Sequence, residues 1–307
     1  MPQVPTERAL RALATVRRER CARLAPLVIA TPTTRGQGLR RAGALGAVCG
    51  VAALVAGARD RRLGAAVAVG GLALAWSTVR PSNPLLGRVA HQGPRDLPAV
   101  ALAIAGAPDP GTTAVLRALD EEGASATFFV VGSRALRHPE LVRAIHRGSH
   151  RMASGGFGDD PVAFRGPARL ARDLRRTEQA VADATGEDVL ARLYMAPQGV
   201  RGPATWAGAR AAGYRLVAWT RAVWPDGLAD ARSAARVAVG GLEPGAVIAI
   251  GPAAADRPGG PAAAVRAVCA QARARGLEVA PLEEVTGLAP TGLTSRGTAA
   301  EEPVTCP

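Results

Sequence analysis

The chain has 307 residues, of which 48% are hydrophobic, 21% charged and only 3% aromatic. That apolar content excludes disorder of the whole chain and leaves the core to Ala, Val and Leu. All 38 basic residues are Arg; residues 1–97 hold 15 of them against 4 acids and residues 98–307 hold 23 against 21, so the net charge of +13 divides as +11 and +2. A nucleic-acid-binding domain would carry its basic excess on the folded part, with aromatics between. Here the excess flanks apolar segments, which points to an anionic membrane surface and away from nucleic acid. Cys21, Cys49, Cys269 and Cys306 form no C-x-x-C pair, so neither a disulfide framework, a zinc ribbon nor a redox motif is indicated.

Residues 1–41 are polar and Arg-rich. Two uncharged apolar runs follow, Ala42–Ala58 and Leu63–Val79, separated by Arg59-Asp60-Arg61-Arg62. Seventeen residues in each run give about 25 Å of helix, enough at the short end to span a bilayer. Their Ala/Gly-rich composition suits a closely packed transmembrane hairpin, with Trp76 near one interface. A buried soluble helical hairpin is the alternative. Nine Arg precede the first run and three sit in the short loop, which favours the cytoplasmic side for the N-terminus and for everything after the second run. Residues 80–97 read as a Pro-rich linker.

From Pro98 the texture changes to short apolar runs alternating with stretches of helical period. The predicted strands are Ala99–Ile104, Ala126–Val131, Tyr214–Thr220, Ala246–Ile250 and Leu277–Ala280. The predicted helices are Thr112–Glu122, Ser133–Arg147, Gly166–Ala184, Pro203–Ala212, Ala229–Gly240 and Pro261–Arg275. Near-continuous apolar strands are buried on both faces, as parallel strands are, so the fold class is α/β, a barrel or a doubly wound sheet. In either, chemistry sits at the C-terminal strand ends, here residues 103–109, 149–160, 193–199, 219–227 and 250–253. The tail 286–307 reads as disordered.

The segments Val100-Ala101-Leu102, PDPGTT (108–113) and SATFFVVG (125–132) resemble the opening of the NodB-like polysaccharide deacetylases, carbohydrate esterase family 4. HPELVRAIHRGSHRMAS (138–154), LYMAPQG (193–199), AAGYRLVAWT (211–220), LEPGAVIAI (242–250) and GLEVAPLEEV (276–285) follow in family order. The resemblance covers about residues 98–285. It implies a distorted (β/α) barrel that removes N- or O-acetyl groups from a sugar polymer or lipid-linked sugar with a divalent metal such as zinc. In such a reaction the metal polarises the acetyl carbonyl, a carboxylate takes a proton from water and an imidazole protonates the leaving amine.

The reactive positions of the family are not kept. Its T-F-D-D-G-P motif reads Ala103-Ile104-Ala105-Gly106-Ala107-Pro108, so Ala105 stands for the base and Gly106 for a metal-ligating Asp. Its H-x-x-x-H motif falls on Gly155 and Asp159. In R-x-P-x-G, Met195 replaces the Arg that orients the base while Pro197 and Gly199 remain; Arg192 is too far along the strand to substitute. Gly251 stands where the general-acid His belongs. Zinc sites take about three protein ligands, so no metal or other cofactor is expected. His91, His138, His146 and His150 fall outside the metal shell, and Ser154 has no evident nucleophile partners.

The reading that follows is a membrane-anchored pseudoenzyme that binds a glycan, a lipid-linked sugar or a protein partner, with Asp159, Pro197, Trp219, Trp224 and Asp226 as candidate contacts. A working hydrolase built from Asp159, Asp160, His150 and Asp226 is the second reading, and a structural membrane scaffold with no small ligand the third. No P-loop, G-x-G-x-x-G, G-x-S-x-G or H-E-x-x-H supports other chemistry.

Overall fold

The computed structural model describes residues 88–148, 150–158, 166–224, 231–240, 242–252 and 260–288. The predicted transmembrane hairpin, the Arg-rich segment before it and the tail beyond Leu288 lie outside them. Among the described residues no helix is long and apolar enough to cross a membrane.

Eight parallel strands alternate with helices. They are β1 (Ala99–Ala107), α1 (Thr112–Glu122), β2 (Thr127–Val130), α2 (Gly132–Arg137), α3 (Pro139–Arg147), β3 (Arg151–Ser154), α4 (Pro167–Thr185), β4 (Leu190–Met195), a 3-10 turn (Pro197–Gly199), α5 (Pro203–Ala211), β5 (Arg215–Val217), β6 (Arg221–Val223), α6 (Ala231–Val239), β7 (Val247–Ile250), α7 (Gly260–Ala274), β8 (Glu278–Ala280) and α8 (Leu282–Thr286). The sheet order is β5-β4-β3-β2-β1-β7-β6, with β8 beside the first residues of β1. The fold class is α/β as predicted, and the strands curl into a half-barrel. β5 and β6 are its edges. A short strap runs from the β5 edge to the start of β7: Ala90 bridges Val217 and Gln92 bridges Ala246. The Thr220 hydroxyl holds the strap by donating to His91 O (2.9 Å) while accepting from Val247 N–H (3.1 Å).

Side chains of β1 alternate as a strand buried on both faces must. Val100, Leu102 and Ile104 pack outward into the helix layer with Val115, Leu119, Val265 and Val268. Ala99, Ala101, Ala103 and Ala105 point inward, where they meet Phe129, Ala153, Leu193, Met195, Val217 and Ala249. Alanines on the concave face let the sheet curl tightly around a thin core, which explains how so few aromatics suffice.

Two sequence expectations need correcting. The helix predicted over Ser133–Arg147 is two helices, broken at His138 (φ −132°, ψ 57°) because Pro139 disfavours helical backbone in the residue before it. Strands β3, β4 and β6 were not predicted as strands; an Arg interrupts β4, and β3 and β6 are short and begin with Arg.

Candidate functional site

Parallel strands bring their C-terminal ends to one end of the half-barrel, and most of the sequence-predicted positions gather there. Ala105 is the last inward-facing residue of β1. Gly106 is bulged between the β1–β2 pairs Ala105/Phe129 and Ala107/Val130, with φ +75°. The bulge takes its carbonyl out of the ladder, and Arg134 of α2 donates to that oxygen at 2.6 Å. Gly155 follows β3 and donates to Val130 O at 2.8 Å. Met195 ends β4, 3% exposed, with its thioether side chain in the inner core. Gly251 follows β7 and donates to Val223 O at 2.7 Å. Pro197 opens the 3-10 turn after β4. Trp219 and Trp224 follow β5 and β6 and cap the inner core, edge to face, with ring centroids 5.7 Å apart. Asp159, Asp160 and Asp226 lie outside the described residues.

The space for a side chain is occupied at Gly251 and tight at Gly155 and Gly106. A Cβ built on Gly251 would lie 2.0 Å from Cε3 and 2.6 Å from Cζ3 of Trp224, so the indole occupies the room of any side chain at that position. On Gly155 it would lie 3.1 Å from Phe129 O and 3.3 Å from Val130 O, so the neighbours would have to give by a few tenths of an ångström. On Gly106 it would sit 3.3 Å from the Pro252 ring, on a left-handed backbone that L side chains rarely adopt.

The family's metal requires three side-chain ligands, and its positions here are Gly106, Gly155 and Asp159. Two of the three carry no donor atom, so the residues present do not fit that ion. Among the described residues no three of His, Cys, Asp or Glu come together where they could hold a metal.

Other polar groups are accounted for elsewhere. Arg192 lies away from the Met195 side chain, in an ion pair with Glu178, whose carboxylate also accepts from the Tyr214 hydroxyl at 2.7 Å. Asp109 forms a turn with Thr112, its Oδ1 accepting from the hydroxyl at 2.8 Å while its own N–H donates to that hydroxyl. Cys269 is buried on α7, and burial pushes its thiol up to about 11. His150 sits before β3, at the opposite end of the barrel, its ring 5.3 Å from that of Phe128. Neither ring nitrogen has a hydrogen-bond partner among the described residues, and burial lowers its pKa against a smaller opposing pull from Asp120.

Two features were missed from sequence. Arg201, 2% exposed, lies on the loop between β4 and α5, and burial lowers its guanidinium pKa. Phe157, two residues past Gly155, folds back against α2 and carries the Arg176 guanidinium 3.7 Å from its ring centroid. Neither has a local pattern: an Arg between Val200 and Gly202 and a lone Phe in a loop read as surface.

Residues 92–217 match the family model for polysaccharide deacetylase. Solved structures similar to the chain include a family 4 carbohydrate esterase from Streptomyces lividans in complex with acetate (24% identity, 59% of this chain and 91% of that one, TM-score 0.52). The Bc1960 peptidoglycan N-acetylglucosamine deacetylase is similar at 21% identity over 66% of this chain and 94% of that one, with TM-score 0.58. A CE4-family pseudoenzyme from Bacillus anthracis is similar at 17% identity over 64% and 67%, with TM-score 0.56. A mutant of that pseudoenzyme has restored enzymatic activity.

Proposed function

The chain belongs, through residues 92–217, to the polysaccharide deacetylase family, and from that premise we propose that it is a membrane-anchored, catalytically inactive member that binds an acetylated glycan or lipid-linked sugar without cleaving it. The observation that carries this reading is the Trp224 indole in the room of a side chain at position 251. The acid's place is taken by an aromatic face that can bind a sugar ring and cannot transfer a proton. Ala105 has no carboxylate to accept a proton from water, and Met195 has no cation to orient one. Groups that act as a unit are lost as a unit, so little rate enhancement survives.

What the mouth retains suits binding. Trp219 and Trp224 are half-buried where they follow β5 and β6. Apolar faces of sugar rings pack on such surfaces while their hydroxyls reach backbone groups at the strand ends. The two apolar runs at 42–79 supply the anchor, and the Arg distribution favours the cytoplasmic side.

The test is a titration of the full chain with N-acetylated chito-oligosaccharides, followed by tryptophan fluorescence and by acetate release. The expected result is saturable binding, weakened at least tenfold by Trp219→Ala, with no acetate formed. Acetate release that depends on added zinc would overturn the proposal; absence of binding to acetylated sugars would remove its glycan half.

A further inference from the structure

Helices α2, α4 and α5 follow strands β2, β3 and β4, which are neighbours in the sheet, so the three helices lie side by side on its outer face. Their exposed surface is rich in arginine: Arg137, Arg169, Arg172, Arg175, Arg176 and Arg210 are all exposed, and among the described residues none forms an ion pair with a carboxylate. The first ten residues of α4 carry a single acid, Asp173, which is buried. On the other side of the half-barrel two arginines are matched, Arg266 of α7 with Glu121 of α1 at 2.8 Å and Arg273 with Glu122 at 3.0 Å, and no helix among the described residues other than α4 carries four exposed arginines. Unmatched like charges on one helix face repel one another, so the α4 ridge lowers stability unless something anionic covers it.

A second observation falls on the same face. The exposed large hydrophobic residues among the described ones are Leu136, 56% exposed, on α2, and Trp206, 36% exposed, on α5. They flank α4 on either side. Each stands beside an arginine: Arg137 follows Leu136, and the Arg210 guanidinium lies 5.3 Å from the Trp206 ring centroid. At a bilayer surface, arginines meet lipid phosphates while Trp and Leu enter the headgroup region.

We infer that the α2–α4–α5 face docks on an anionic lipid surface, through the arginines of α4 and by shallow insertion of Leu136 and Trp206. The inference deepens the membrane-anchored reading and rests on it for the presence of a bilayer. A nucleic acid or soluble polyanion would engage the arginines and leave the two apolar side chains in water, so the pairing of the two features favours lipid.

The experiment uses the full chain in liposomes of phosphatidylcholine alone, or with about one third phosphatidylglycerol to set a negative surface potential. Alkaline carbonate extraction reports the anchor. Quenching by brominated lipid of the Trp206 emission, taken as the difference between the natural chain and Trp206→Phe, reports the docked face. The expected result is quenching that requires phosphatidylglycerol, disappears in high salt and falls at least fivefold in Arg169→Glu/Arg172→Glu/Arg175→Glu. A Leu136→Ser/Trp206→Ser chain, followed by flotation with the anionic liposomes, should release more readily than the natural one. Quenching equal in both lipids, or absent from both while the chain resists carbonate, overturns the inference. If carbonate strips the chain and it still floats with anionic liposomes through the three arginines, the docking face stands and the anchor falls. If soluble polyphosphate competes fully and the Leu136/Trp206 substitutions change nothing, the face is a general polyanion site and the lipid inference is overturned.

Discussion

At the scale of the residue, Gly251 and Trp224 form one unit. Adding a methyl group at 251 drives it into the indole, so Gly251→Ala should destabilise the fold by about 1–3 kcal/mol, the usual cost of overpacking. In a Trp224→Ala background the same change should cost under about 0.5 kcal/mol, a coupling that a double-mutant cycle in denaturant measures directly. Equal costs in both backgrounds would mean that the two do not share the space. The sequence reading places Ala105, Gly106, Met195 and Gly251 at the family's reactive positions through the resembling motifs. It did not show that an aromatic had moved in, because Trp224 reaches Gly251 only through the pairing of β6 with β7.

His150 and Glu283 give the residue scale its pH dependence, with opposite signs. The imidazole of His150 is held neutral by burial, so the unfolded chain binds the extra proton. Its contribution is full above the ordinary histidine value of about 6.5 and is lost as pH falls through the window below that. His150→Phe should flatten the pH dependence of stability below about pH 6.5. Glu283 is 5% exposed, accepts from the Thr127 hydroxyl at 3.3 Å, and has its pKa raised chiefly by burial. The folded state therefore holds the proton more tightly, and stability falls as pH rises through the folded pKa. Glu283→Gln should raise stability at neutral pH and remove that fall. Denaturant midpoints across pH test both; a slope unchanged by either substitution contradicts the corresponding assignment.

At the scale of the element, legibility followed continuity of pattern. β1, β2 and β7 are unbroken apolar runs and were found within a few residues of their observed ends. β4 hides Arg192 on its outer side, and β3 and β6 each open on an Arg, so an apolar-run criterion passes over them. Helix α1 was legible to the residue because Gly123 ends it in a left-handed conformation (φ +61°). The strap at Ala90–Gln92 has no periodicity at all; its pairing depends on edges that strands far along the chain create. Ala90 N–H donates to Leu216 O at 3.1 Å and Ala90 O accepts from Ala218 N–H at 2.8 Å. Ala90→Pro removes the donor and should destabilise the half-barrel by about 1–3 kcal/mol. An Ala90→Pro chain with an unshifted denaturant midpoint would show that the strap does not hold the edges.

At the scale of the whole molecule, the half-barrel framework is similar to that of family 4 carbohydrate esterases. The proposed function holds that the mouth of this framework binds without hydrolysing, with the Trp224 indole in the room beside Gly251. Acids and arginines are balanced across α1 and α7, whereas the first ten residues of α4 carry four exposed arginines, on the face assigned above to lipid docking.

The most direct test of the central claim is metal stoichiometry. The full chain is loaded with zinc or cobalt, dialysed and analysed for bound metal. A chain carrying Ala105→Asp, Gly106→Asp, Gly155→His, Asp159→His, Met195→Arg and Gly251→His, with Trp224→Ala to make room, calibrates the measurement. The account predicts essentially no metal in the natural chain, because two of the three ligand positions have no donor. One metal per natural chain would contradict it and would direct mutagenesis first to Asp159.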